Sequence, residues 1–445
     1  MPLHPAVRET VLAAMDRLRV PGVAVGLLVD GEEVTEGFGV TSVENPLPVD
    51  ETTLFQIGSI SKTFTATAVM SLVEQDKLNL DVPVRTYLPN LRLADEEVAR
   101  RVTLRHALNH TSGWPGDIFE DYGPGDDALA KMVDRIASLP QLTPLGEVWS
   151  YNNVAYCLAG RAIEIVTGLP FEQAIKELLL DPLGMDRTFY RASDAITHRC
   201  AVGHVGFDDG PQVSRPWALG RSTHPFAGIA SCLRDLLQWA RFHLGDGTVP
   251  GAGSPEGRLL RPETLAHMHA PLAPAGAQAE AIGVTFQTVD IAGIRTIGHG
   301  GSWCNQLSVF RLAPEQRFAV VALTNGHRGA EVHGEIVQSA LRAYLGARPA
   351  EPRYLTLSGA DLAAYEGRYD ALLDDVELKV KDETLVLTTV RRANAMGSVP
   401  KPPPPAPVRR SRATRASSCA EITARSPGLP GAGGSTGDPE RTRQP

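Results

Sequence analysis

Cysteine is scarce in this 445-residue chain, basic charge is not in excess, and no apolar run is long enough to span a bilayer. The five thiols, Cys157, Cys200, Cys232, Cys304 and Cys419, are scattered and form no CxxC pair. That spacing argues against both a zinc ribbon and a disulfide framework, and buried, reduced thiols are the reading it supports. A net charge of −8 offers no basic face for nucleic acid. The apolar run at 20–29 makes a poor signal peptide, because Glu9 and Asp16 interrupt the basic region before it. Asp30-Gly31-Glu32-Glu33 follows it in place of a small-residue cleavage site, so a buried strand ending in a turn fits better. The expectation is a cytoplasmic protein with no membrane span.

What is present is ordinary for a globular enzyme, with 43% hydrophobic and 21% charged residues. Charge is unevenly spread. From Arg391 onward the chain carries ten Lys/Arg against three Asp/Glu, a net of +7, which leaves −15 for the rest. That tail is rich in Pro, Arg, Ser, Ala and Gly, a composition that cannot bury enough apolar surface to order itself.

Residues 5 to 19 predict an amphipathic helix, with Val7, Val11, Leu12, Met15 and Leu18 on one side. Strands are predicted over 22–29 and 33–39, joined at Asp30-Gly31. A mostly helical stretch occupies about 59–245, with helices over 61–76, 127–138, 153–167, 171–179 and 232–244. Strands return at 281–288, 293–298, 306–312 and 317–324, and a helix closes the pattern over 331–346. This order implies an α/β chain of the α+β kind: an antiparallel sheet assembled from both chain ends, flanked by helices, with a mostly helical second lobe. The cleft between sheet and lobe is where a site is expected. The domain boundaries expected are 1–346 for this body, 357–390 for a small β module cut short, and 391–445 for the disordered tail.

The strongest chemical signal is Phe55-Gln56-Ile57-Gly58-Ser59-Ile60-Ser61-Lys62-Thr63-Phe64. Ser59 and Lys62 stand at i and i+3, on one helical face and within reach of each other. The apolar residues that follow bury this helix, and a buried lysine is pushed toward its neutral form, which can accept a proton. Backbone N–H groups left free at a helix start suit an oxyanion. By itself S-x-x-K recurs by chance, with Ser59 as a helix cap and Lys62 as a surface charge. Ser61 in place of glycine before Lys62-Thr63 excludes a phosphate-binding loop.

Two further segments add to it. Trp149-Ser150-Tyr151-Asn152-Asn153 precedes an apolar helix. A tyrosine beside a cationic lysine has a lowered pKa and can shuttle a proton, and Asn153 offers an amide to a substrate carbonyl. The plain alternative is that Asn153 caps the helix and Tyr151 packs. Gly298-His299-Gly300-Gly301-Ser302-Trp303 lies between two strands, where glycines let backbone approach a ligand, or where they simply make a mobile turn.

These elements, in this order, resemble the serine β-lactamase and penicillin-binding-protein superfamily, especially its class C-like branch and the related family VIII carboxylesterases. The stretches Leu104-Arg105-His106-Ala107-Leu108-Asn109-His110-Thr111-Ser112-Gly113 and Gly228-Ile229-Ala230-Ser231 support it, and it runs from about residue 8 to 346. The resemblance implies Ser59 as nucleophile, Lys62 as its base and Tyr151 as proton shuttle. It implies Asn153, His299, Gly300 and Gly301 as substrate-binding, and the backbone N–H groups of Ser59 and Ser302 as an oxyanion hole. It calls for no cofactor and no metal. The chain departs from the lactamase pattern where His299 replaces lysine and Gly300 replaces threonine. A mostly neutral histidine grips a substrate carboxylate less firmly, which tilts the expectation from lactams towards esters or D-amino-acid peptide amides.

Rival readings are weaker. His106 and His110 are spaced as zinc ligands can be, and His267 and His269 form a second pair, but neither has the acidic partner of HExxH. The match to G-x-S-x-G at 433–437 lies in the low-complexity tail, without the strand and helix that a nucleophile elbow needs. A catalytically silent protein that binds peptides or cell-wall fragments is the alternative of a different class. The loops at 114–122 and 206–223 are expected to line the pocket for a small-molecule or peptide substrate. The sequence is silent on oligomeric state.

Overall fold

A computed structural model of the chain describes residues 1–206, 210–217, 219–249, 257–276, 278–348, 357–369, 374–382 and 384–391. The basic tail from 392 onward lies outside them. The chain divides into two units, Met1–Ala350 and Glu351–Pro445.

The first unit opens with α1 (Pro5–Leu18), which starts at His4, whose ring accepts a hydrogen bond from the Ala6 N–H. Proline suits the first helical position because no hydrogen bond is asked of its nitrogen there. Val7, Val11, Ala14 and Leu18 form the buried stripe of this helix. Strands β1 (Gly22–Val29) and β2 (Glu32–Gly39) pair antiparallel across Asp30-Gly31. The helical region supplies α2 (Ser61–Glu74), α3 (Ala155–Thr167) and α4 (Leu233–Leu244). The chain then returns through β3 (Ala273–Pro274), β4 (Ala281–Ile282), β5 (Gln287–Ile291), β6 (Ile294–Trp303), β7 (Gln306–Ala313) and β8 (Phe318–Thr324). Helix α5 (Gly329–Leu345) closes the unit.

These strands form one antiparallel sheet in the order β2-β1-β8-β7-β6-β5-β4-β3. The two ends of the unit meet where β1 pairs with β8, with Val25 opposite Ala322. Strand β1 is an unbroken apolar run because both of its faces are covered. Val23, Val25 and Leu27 pack with α1 and α5, and Ala24 and Leu28 join the larger core on the helical side. The architecture is therefore α+β, with helices on both faces of the sheet and a mostly helical second lobe.

Two expected elements differ. The strand expected over 281–288 is split into β4 and β5 by a turn in which Thr285 takes φ 74°. The glycine-rich 298–303 segment is not a connection between strands; it is the second half of β6, paired with β7 up to Trp303 opposite Gln306. Glycine lowers strand propensity in isolation, but pairing with β7 on one edge and the close-packed turn at Gly58 hold the segment extended.

Helix α2 is buried from Ser61 through Leu72, the pattern of a helix surrounded by protein. Phe64 stacks on Trp239 of α4 at 4.0 Å and 8°. The Trp239 indole N–H donates to Thr63 Oγ1 at 3.0 Å, which fixes the helix next to Lys62. The second unit, by itself, has a helix at Gly359–Ala363 and a three-stranded antiparallel sheet of Gly367–Tyr369, Asp374–Lys381 and Thr384–Arg391. Among the described residues no helix is long and apolar enough to cross a membrane.

Truncating Trp239 removes both the stack and the hydrogen bond that hold α2. A Trp239→Ala variant is expected to lose about 3–5 kcal/mol of stability, read as a lowered urea midpoint.

Candidate active site

Ser59 sits in a single 3-10 turn, Gly58–Ile60, that runs directly into α2. The turn lies against the glycine-rich half of β6. A Cβ on Gly58, where φ is +51°, would stand 2.5 Å from Ser302 N, and one on Gly301 would stand 1.9 Å from Ile57 O. Both positions must be glycine for strand and turn to approach so closely. This contact brings the backbone of Ser302 beside Ser59.

One turn along, Lys62 is completely buried. Its Nζ lies 3.0 Å from Ser59 Oγ and donates to Asn153 Oδ1 at 2.7 Å and to Phe226 O at 3.0 Å. The rings of Tyr151, Tyr156 and Phe226 surround it at 4.8, 5.4 and 5.3 Å. Burial among these groups pushes the amine well below lysine's usual range, more strongly than the Asp117 carboxylate can pull it back. In its deprotonated form such an amine has two N–H bonds, which these two carbonyl oxygens can accept, and one lone pair free for the Ser59 hydroxyl.

Tyr151 shares a hydrogen bond with Ser59, and its ring is tilted against that of His110 at 4.5 Å. The lowered phenol pKa expected from the sequence is not what the structure has. Burial raises it instead, and Asp117 adds to the rise. The reason is that a phenolate enclosed by protein loses its hydration. Tyr151 is therefore a protonated phenol, able to give a proton rather than to take one.

Asn153 is held at both ends of its amide: Oδ1 accepts from Lys62, and Nδ2 donates to Asp117 Oδ1 at 2.9 Å. It does not cap α3; the Asn152 side chain does that, accepting from the Ala155 N–H at 2.9 Å. Asp117 comes from the 114–122 loop, which also brings Phe119 against Phe226 and Trp303 at 5.7 and 6.0 Å. That loop holds three acids, Asp117, Glu120 and Asp121, and sequence spacing does not choose among them. Only the fold shows that Glu120 is engaged by Arg135 while Asp117 faces Asn153. His110 entered the sequence reading as a metal-ligand candidate. In the structure it is a buried ring behind Tyr151, and its Nδ1 accepts from the Asn152 N–H at 2.9 Å.

His299 lies on β6 with its ring 6.0 Å from that of Tyr151. Burial, opposed by a hydrogen bond to Gly300 O, lowers its pKa to about 3. It is neutral at any physiological pH. Gly300 leaves open space, since a Cβ there would meet only Ser308 O at 3.7 Å. Ser59, Lys62, Tyr151, Asn153, His299 and the glycines beside it thus converge from three separate parts of the chain.

An antiparallel sheet with a helical lobe, and an S-x-x-K helix facing a tyrosine and a glycine-rich strand, define the serine β-lactamase and penicillin-binding-protein superfamily. The chain belongs to its β-lactamase family, whose model matches residues 7–344. It is 33% identical to penicillin-binding protein 4 of Amycolatopsis lactamdurans over 380 residues, covering 82% of this chain and 97% of that protein. An unguisins hydrolase of Aspergillus campestris is 29% identical over 345 residues, covering 73% of this chain and 62% of the hydrolase. The crystal structure of SurE superposes with a TM-score of 0.70 at 25% identity, covering 86% of each chain. The family is one of serine hydrolases and acyl transferases.

The lowered His299 pKa has a measurable consequence. A group held neutral in the folded state contributes stability that is present above its unfolded pKa of about 6.5 and is lost as pH falls from there towards about 3. Between pH 7 and 5 this amounts to about 2 kcal/mol for one such histidine. Urea denaturation at the two pH values is expected to show a smaller loss in a His299→Asn variant than in the unaltered chain, by about that amount.

Proposed function

We propose that the protein hydrolyses acyl substrates through a covalent intermediate on Ser59, with carboxylic esters preferred over lactams. The observation that carries this reading is the completely buried Lys62 amine, which lies 3.0 Å from Ser59 Oγ and bonds two carbonyl oxygens, Asn153 Oδ1 and Phe226 O.

In this reading Lys62 accepts the Ser59 proton as Oγ attacks the substrate carbonyl carbon. The backbone N–H groups of Ser59 and Ser302 bind the oxyanion. Tyr151, already protonated, gives its proton to the leaving oxygen or nitrogen as the carbonyl re-forms, and is reprotonated from Lys62. Water then attacks the acyl-enzyme, its proton passing to the same pair, and the acid leaves with Ser59 restored. Asn153 holds the Lys62 amine in orientation and presents its amide edge to the substrate.

Esters are favoured on electrostatic grounds. A β-lactam antibiotic carries a carboxylate, and the position where the lactamase pattern places lysine holds His299, buried and neutral. Nothing there repays the desolvation of that carboxylate. D-amino-acid amides whose charge lies elsewhere remain compatible with the site.

The test is hydrolysis of p-nitrophenyl butyrate beside a Ser59→Ala variant, with benzylpenicillin as comparison. The variant is expected to lose at least about 1,000-fold in kcat, and kcat/KM for the ester is expected to exceed that for benzylpenicillin by about 100-fold or more. Ester turnover that survives Ser59→Ala rejects the mechanism; equal efficiency on penicillin rejects the preference.

A further inference from the structure

The reading of Ser59 as nucleophile leaves one charged group of the site without a task. Asp117 is the half-buried acid on the far side of the Asn153 amide from Lys62. Its place is built in. A Cβ on Gly116 would stand 2.4 Å from Asn152 Cα, and the Val154 N–H donates to Gly116 O at 3.0 Å, so the loop is pinned against 152–154. Asp117 Oδ1 accepts from Asn153, yet among the described residues the carboxylate forms no ion pair.

Burial raises the Asp117 pKa, and the Asn153 hydrogen bond and the Lys62 amine beyond it pull it back, but no cation of the site touches the carboxylate directly. Lys62 gives its hydrogens to two carbonyl oxygens and reaches Asp117 only through Asn153. His299 is neutral. Arg311 pairs with Gly298 while His299 pairs with Phe310, so the arginine lies on the other face of the sheet. Beside Asp117 the loop presents Phe119, packed with Trp303, and aromatic faces attract cations as well. Among the described residues the site thus has an acid at Asp117 and no cationic side chain where the lactamase pattern places its lysine, the reverse of a site built for a carboxylate-bearing lactam.

Resting on the Ser59 reading, we propose that Asp117 binds an ammonium group carried by the substrate within a few bonds of its scissile carbonyl. Asp117 thereby sets the substrate class as cationic esters or amides, such as aminoacyl compounds or esters of amino alcohols. A carboxylate already fixed by Asn153 engages such a group without reorganisation, whereas a neutral substrate leaves it desolvated and unpaired.

The experiment uses the full chain and two series. The first compares p-nitrophenyl esters of 3-aminopropanoic, butanoic and succinic acid, which place a positive, no, or a negative charge on acyl groups of similar length. The second compares acetylcholine with its uncharged analogue 3,3-dimethylbutyl acetate. In at least one series kcat/KM for the cation is expected to exceed that for the neutral compound by about tenfold or more, with the anion slowest. Asp117→Asn keeps an oxygen that accepts from Asn153 but removes the charge, and should bring that ratio to near one; Asp117→Glu should keep the preference. Using a ratio cancels any common effect of the substitutions on Lys62. A ratio near one in both series of the unaltered chain overturns the proposal, and so does a preference that persists in Asp117→Asn. Absence of turnover in every compound removes the Ser59 reading itself, and the proposal with it.

Discussion

The structure depends on keeping one lysine dry. Lys62 is buried on a helix with no exposed side, ringed by Tyr151, Tyr156 and Phe226, and held by two carbonyl oxygens. A charged amine in that position loses its hydration without a direct counter-ion, which holds the group well below lysine's usual range. Once the amine is neutral, its geometry follows. Two acceptors define where its hydrogens point, and the remaining lone pair has one hydroxyl within reach. Burial in the same cluster leaves Tyr151 protonated, because a phenolate there loses its hydration and faces the Asp117 carboxylate.

The fold supplies that condition from distant parts of the chain. Trp239 and Phe64 lock α2 to α4, the 3-10 turn at Gly58–Ile60 carries Ser59 to the end of that helix, and β6 closes over it. The closure needs bare backbone on both sides, which is why glycine stands at 58 and 301. With His299 neutral and Gly300 open, the β6 side of the site is polar and uncharged, and the acid Asp117 stands on the other side, bonded to Asn153.

Much of this could be read from the residues. The i, i+3 spacing of Ser59 and Lys62 inside an apolar helix already implied contact and a depressed lysine, and β1, β8 and the terminal helices follow from their apolar patterns. What could not be read had identifiable causes. The pKa of Tyr151 is decided by burial, which local sequence does not contain. The extended state of 298–303 is imposed by β7 and by the turn at Gly58, against the propensity of its own glycines. Asp117 is one of three acids in its loop, and only the contact of Gly116 with the 152–154 segment selects it. The spacing of His106 and His110 suggested a metal pair, yet His106 completes the cap of a short helix with Thr103, while His110 supports Tyr151.

Burial holds the Lys62 amine well below lysine's usual range, and the pH dependence of Ser59 modification is the measurement that reads it. On the proposed mechanism, phosphonylation of Ser59 by a fluorophosphonate needs the lysine lone pair, so its second-order rate follows the neutral fraction of Lys62. The expected rate levels off well before lysine's ordinary value of 10.5 is reached and falls at lower pH. A rate that keeps climbing about tenfold per pH unit up to that value would mean that Lys62 is a buried ammonium of ordinary pKa, and would overturn its proposed role as base.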